Sequence, residues 1–177
     1  HSKAGLEKLA INGNTPFAGA GLFYVPVNHA GRQTRSDEEV QAIKTIANSF
    51  IDNNIQWTTG EGKTIALTTN DILIVAPYNA QVNALAKTLP GFRIGTVDKF
   101  QGQEAAIVIY SVTCSTAEDA PRGMEFLYSP NRLNVATSRA KCICIVVGSE
   151  QIFETDCRSI EQMKWVNGFC RFRELAT

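Results

Sequence analysis

The 177-residue sequence predicts a single α/β domain with three layers around a mostly parallel sheet. Continuous apolar, β-branched runs recur at 72–76 (ILIVA), 105–112 (AAIVIYSV) and 141–147 (KCICIVV), as strands buried on both faces require. Segments of helical period, several opened by capping signals, alternate with them. A composition of 44% apolar and 19% charged residues belongs to a globular chain able to bury a substantial core.

In chain order, residues 1–20 are glycine-rich and weakly periodic, a loose lead-in. Leu22–Val27 reads as a short strand, with Pro26 favouring a sheet edge because it lacks a ladder donor. His29 sits alone in the next loop and reads as an ordinary loop histidine. Ser36-Asp37-Glu38-Glu39 is a capping box, and Val40, Ile43, Ala47, Phe50 and Ile51 give the helix an inner face to about Asp52. Its acidic first turn suits the helix dipole, a structural role. Residues 53–70 are polar and threonine-rich, a loop or hairpin.

After the 72–76 strand, Asn79 can cap a helix whose inner face is Val82, Leu85, Ala86 and Leu89, and Pro90-Gly91 stops it. Phe92–Val97 and Ala105–Val112 follow as strands. The stretch STAEDAPRGMEFLY reads as a polar, mobile loop. Ser129-Pro130, serine as cap and proline in the first turn, opens a helix running to Arg139. Lys141–Val147 is a further strand. Ser159-x-x-Gln162 is a second capping box, opening a helix over 158–175 with Ile160, Met163, Val166, Phe169 and Cys170 inward.

Seventeen basic residues balance seventeen acidic ones, so no global basic field points to nucleic acid, although a local groove can be basic in a neutral chain. Five cysteines with no CxxC pair exclude a disulfide framework and a common zinc motif; Cys142 and Cys144 read as core thiols in a reducing, cytoplasmic setting. No apolar run reaches the roughly 20 residues that span a bilayer. A start at His1 with no initiator methionine is expected of a processed chain or a piece of a longer one.

Gly60-Glu61-Gly62-Lys63-Thr64 mimics the end of a phosphate-binding loop, but the pattern needs glycine where Trp57 stands, and a strand before and a helix after. It reads as a surface turn, and no other loop of that type exists in the chain. Three polar clusters are expected at the carboxyl ends of strands, where open α/β sheets bind ligands: Pro77–Gln81, Asp98–Glu104 and the Ser129–Arg139 helix. Gly102 permits positive φ or close approach to a phosphate, and Glu104 could accept from ribose hydroxyls. Arg132 and Arg139 lie almost two turns apart, on nearly one helix face and about 10 Å apart along it. They either hold a polyphosphate or cover the helix surface, paired with nearby carboxylates.

Taken together the clusters resemble a family. TVDKFQGQEAAIVIYSV and NRLNVATSRAK resemble motifs V and VI of superfamily 1 helicases, and ILIVAPYNAQV resembles their motif IV. The branch is that of the nonsense-mediated-decay helicases and related DNA helicases, and the likeness runs from about Leu22 to Val147. More loosely, the chain resembles the C-terminal motor domain of bacterial proteins that fuse a RecB-like nuclease to such a helicase. The resemblance implies a RecA-like domain lacking its own Walker A loop, the second of two motor domains, with ATP and Mg2+ held mainly by the first. It implies Arg139 as arginine finger, Gln101, Gly102, Glu104 and Arg132 at the nucleotide, and Tyr78, Asn79, Gln81, Thr96, Val97, Asp98 and Thr113 at or near a nucleic-acid strand. The implied partners are that first motor domain, single-stranded nucleic acid, with DNA favoured, and a fused nuclease; 5′ to 3′ translocation comes from the branch. Two other readings stand beside it: a self-contained phosphotransferase using Lys63, and a non-catalytic nucleic-acid-binding module.

Overall fold

A computed structural model describes residues 6–177; the part of the lead-in before Leu6 lies outside the described residues. Among the described residues eight strands form two sheets: β1 (Ala10–Asn12), β2 (Gly21–Pro26), β3 (Gln56–Thr58), β4 (Thr64–Ala66), β5 (Ile72–Val75), β6 (Arg93–Gly95), β7 (Ala105–Ser111) and β8 (Ala140–Gly148). The five-stranded sheet has the order β2-β8-β7-β5-β6 and is parallel throughout. Helices α1 (Asp37–Asp52) and α2 (Asn79–Thr88) cover one face; α4 (Pro130–Arg139) and α5 (Ile160–Leu175) cover the other. This is the three-layer α/β arrangement, of RecA-like type, that the apolar runs predict.

Alternation within each strand divides the core. Ile72, Ile74, Ile107, Ile109, Ile143 and Ile145 pack against α1, while Leu73, Val75, Val108, Tyr110, Cys144 and Val146 pack under α4 and α5. Each fully buried branched side chain contributes about 1.5–3 kcal/mol of transfer free energy, so the central strands hold the sheet. Pro26 ends β2 at the sheet edge, as its missing donor predicts.

Several expectations change on contact with the fold. The lead-in is not loose where described: β1 pairs antiparallel with β3 and buries Leu9 and Ile11, building a small sheet with the β3–β4 hairpin. β6 shrinks to Arg93–Gly95, and a 3-10 turn, Val97–Phe100, follows. Tyr78, not Asn79, takes the cap position of α2, with no capping side chain; Ala86 is exposed and Gln81 takes an inner position instead. Ser129 makes no side-chain cap, although Pro130 does open α4. The 115–128 stretch holds a short helix, α3 (Gly123–Leu127), anchored by buried Ala117, Leu127 and Tyr128. On α5, Ile160 and Met163 are 73% and 56% exposed, and Phe172 joins Val166 and Phe169 inside.

Candidate functional site

The strand directions sort the candidate residues onto two edges of the sheet. Tyr78, Asn79, Thr96 and Asp98 follow β5 and β6, at the carboxyl edge. Because β6 and β7 are both parallel to β5, the chain must return across the sheet before β7 begins. Gln101, Gly102 and Glu104 therefore sit at the amino edge, not at the carboxyl edge expected for that cluster. Helix α4 runs the same way, carrying Arg132 near the carboxyl edge and Arg139 to the amino edge. There Ala105 pairs with Ala140, so Glu104 and Arg139 immediately precede partnered residues on adjacent strands.

At the amino edge, Gly102 adopts φ +79°, with open space around the position a Cβ would take. The left-handed backbone is what requires glycine here. Gln101 and Glu104 are exposed, and Glu104 lies 3.9 Å from the Lys141 Nζ. Arg139 is half-buried, and its Nε is enclosed with no hydrogen-bond acceptor. An enclosed guanidinium N–H without a partner is costly, roughly 1–3 kcal/mol or more for a charged group.

At the carboxyl edge, Pro77, Tyr78, Asn79, Thr96, Asp98, Arg122 and Arg132 line an open cleft of about 310 Å3. Phe126 of α3 is flanked by two guanidiniums, Arg122 at 3.9 Å and Arg132 at 4.0 Å from its ring centroid. Tyr78 packs on the same ring at 5.4 Å. The sequence reading passed over Arg122 and Phe126, since they lie in the stretch read as a mobile loop. A GMEFL segment following the arginine was the available signal, and it is too short to show a helical period. Arg132 thus joins the residues expected near a strand and stands apart from Gln101, Gly102 and Glu104.

Besides Tyr78, three residues expected near the strand are buried. Val97 packs in the core beside Phe100. Gln81 is fully buried: its amide donates to Ser36 O and Ser111 Oγ, and its Oε1 accepts from Ser36 N–H. Thr113 is fully buried too, in the left-handed region at φ +77°, where a β-branched residue is strained by about 1–3 kcal/mol. Its N–H is held between the two Glu39 oxygens at 3.0 and 2.9 Å. Side-chain hydrogen bonding explains why such polar groups are inside, and it leaves Gln81 nothing to offer a strand.

Glu39 is the hub of that arrangement. Ser36 Oγ accepts from the Glu39 N–H, but the Glu39 carboxylate does not return to the cap. It accepts instead from Ser111 Oγ and Thr113 N–H, and meets His29 Nε2 at 2.9 Å. His29 Nδ1 in turn contacts Ser115 Oγ at 2.7 Å. His29 is therefore a buried structural residue and not an ordinary loop histidine. Cys114, next in the chain, meets the Tyr78 hydroxyl at 3.4 Å; burial pushes its thiol up to about 11 and raises Tyr78 as well. Both stay protonated, neutral packing at the rim of the cleft.

Gly60–Lys63 is the turn of the β3–β4 hairpin, with no helix after it, and the Lys63 Nζ lies 3.3 Å from Glu61. Among the described residues no three His, Cys, Asp or Glu side chains gather as a metal site, and no helix is long and apolar enough to cross a membrane.

The five-stranded parallel sheet with flanking helices is a RecA-like arrangement, and the family match makes it a domain of the superfamily 1 helicase type. Residues 26–151 match the family described as an AAA domain, and the chain belongs to that family. It is similar to mov-10-B.1 of Danio rerio, a protein named as a helicase: 37% identity over 102 residues, covering 49% of this chain and 10% of that protein. The Drosophila melanogaster "Probable RNA helicase armi" is 36% identical over 99 residues, 51% of this chain and 8% of that protein. The "DNA replication ATP-dependent helicase/nuclease dna2" of Schizosaccharomyces pombe is 34% identical over 106 residues, 55% of this chain and 7% of that protein. The chain thus matches a tenth or less of each of these relatives.

Proposed function

We propose that this chain is the second motor domain of an ATP-dependent helicase, lending Arg139 across a cleft to ATP held by a first motor domain. The enclosed, acceptor-free Nε of Arg139 carries this reading. It lies at the edge where Gly102 turns left-handed and Glu104 reaches solvent, in a chain whose only GK-containing loop is a hairpin turn. ATP supplies the transferring γ-phosphoryl, and the guanidinium of Arg139 stabilises charge on its oxygens. Gly102 lets the backbone approach, Gln101 lies beside it, and Glu104 accepts from ribose hydroxyls once Lys141 yields. In this reading Mg2+ comes with the ATP and is held mainly by the first domain.

The carboxyl edge carries single-stranded nucleic acid on Asn79, Thr96 and Asp98, with Tyr78 behind them. Backbone amides and hydroxyls bind phosphates without a strongly basic surface, which suits a formal net charge of +0. DNA is favoured by the resemblance to nuclease–helicase fusions. A finger from the opposite domain makes hydrolysis depend on closure, and closure can drive translocation along the strand.

Arg139→Ala in the intact protein is the test. ATP binding is retained while hydrolysis falls by roughly 10³ to 10⁵. Wild-type turnover in that variant sinks the assignment.

A further inference from the structure

We propose that α3 and the start of α4 form a phosphate clamp, in which Arg122 and Arg132 hold neighbouring oxyanion groups from the two sides of Phe126. Two guanidinium carbons at 3.9 and 4.0 Å from one ring centroid must occupy opposite faces, because a single face has room for only one. Contact with the ring restrains both guanidiniums beside it. Stacking of this kind on an aromatic face is favourable for arginine in particular.

The charge is left uncompensated. Neither Arg122 nor Arg132 forms an ion pair among the described residues, although Asp98 and Glu125 line the flanks of the clefts that the two arginines share. Six other Lys and Arg side chains among the described residues do pair with carboxylates. Two like charges held about one ring without an anion repel each other, and a bound oxyanion turns that repulsion into attraction. The planar fork of arginine matches two phosphate oxygens. The first turn of α2, which has no side-chain cap, opens on the same cleft.

The ligand is a phosphate group, a phosphodiester of a nucleic-acid strand or the polyphosphate of a nucleotide. The carboxyl-edge position favours the strand, and to that extent the inference rests on the proposed function. Arg122 and Phe126 lie outside the three motifs that carried the family resemblance, so the clamp adds contacts which those motifs do not contain.

Titration of the 177-residue chain with a fluorescent 20-nucleotide oligothymidylate, from 50 to 200 mM salt, tests it. Arg122→Ala and Arg132→Ala are each expected to weaken binding roughly tenfold and to flatten the slope of log K against log salt by about 0.7. Phe126→Leu keeps both charges and loses their alignment, so affinity falls while the slope holds. Lys44→Ala, on the opposite face, controls for loss of any one charge. If the arginine variants leave oligothymidylate untouched but weaken inorganic tripolyphosphate by calorimetry, the clamp holds the nucleotide's phosphates. If neither ligand responds, or Lys44→Ala matches the arginine variants, the clamp is overturned. Full hydrolysis by Arg139→Ala together with a failing Arg122→Ala would remove the motor assignment and leave the clamp standing.

Discussion

Truncation of Glu39 to alanine leaves three donors without an acceptor in the middle of the protein. The carboxylate is fully buried and accepts from Thr113 N–H at 3.0 and 2.9 Å, from Ser111 Oγ, and meets His29 Nε2 at 2.9 Å. Orphaning a buried donor costs about 1–3 kcal/mol, and removing one partner from a buried charged network about 3–5 kcal/mol in all. The strained φ of Thr113 loses its tether at the same time. For a chain of 150–250 residues each kcal/mol moves the Tm by about 2–4 °C, so Glu39→Ala should lower it by roughly 6–20 °C. Differential scanning calorimetry measures this directly. Glu39→Gln keeps one acceptor and should lie between. A loss under about 2 °C for the alanine variant would refute the view that this carboxylate ties α1 to the end of β7.

Gly148→Ala would put a Cβ 2.8 Å from Val112 Cγ2 and 2.9 Å from its Cβ, overpacking that costs about 1–3 kcal/mol; denaturant unfolding should show the loss shrinking in a Val112→Ala background. A loss of equal size in both backgrounds would exclude the Cγ2 contact as the cause. Hydrogen bonding from Arg32, with help from its own backbone, holds the Glu38 carboxyl at about 2, below its ordinary 4.5. A lowered carboxyl pKa contributes stability that is present above 4.5 and lost as pH falls through 2. The Tm difference between wild type and Glu38→Gln should therefore be steady above about pH 5 and narrow on acidification, and a widening difference would reverse the sign of the assignment.

Much of the fold was legible because the sheet is buried on both faces. Runs such as ILIVA and AAIVIYSV have no second reading as surface strands, and Ser36 and Ser159 announce their helices by capping them. What failed was whatever depends on a partner distant in sequence. Glu39 reads as the reciprocal acid of a capping box, His29 as a loop residue and Gln81 as a strand contact. Each is polar, and pairing with groups 10 to 74 positions away allows it inside. Amphipathic counting on α5 failed for a related reason. The first turn of that helix leaves Ile160 and Met163 exposed, while Val166, Phe169 and Phe172 further along reach the core.

The direction of the chain over the sheet was the other hidden variable, and it matters most for function. Motif order along a sequence does not say which end of a strand a residue occupies. Here the Thr96–Glu104 segment must return across the sheet, and α4 does the same beside it. The two arginines of one motif thereby reach opposite edges, about 10 Å apart on a single short helix. Under the proposed function that separation is useful. Arg132 senses phosphate at the carboxyl edge while Arg139 waits at the amino edge, and α4 packs on β7 and β8 between them. A helix of ten residues seated on a buried sheet does not stretch. Under the proposed function, rotation or sliding of α4 as one body links a strand held by Arg132 to a nucleotide met by Arg139.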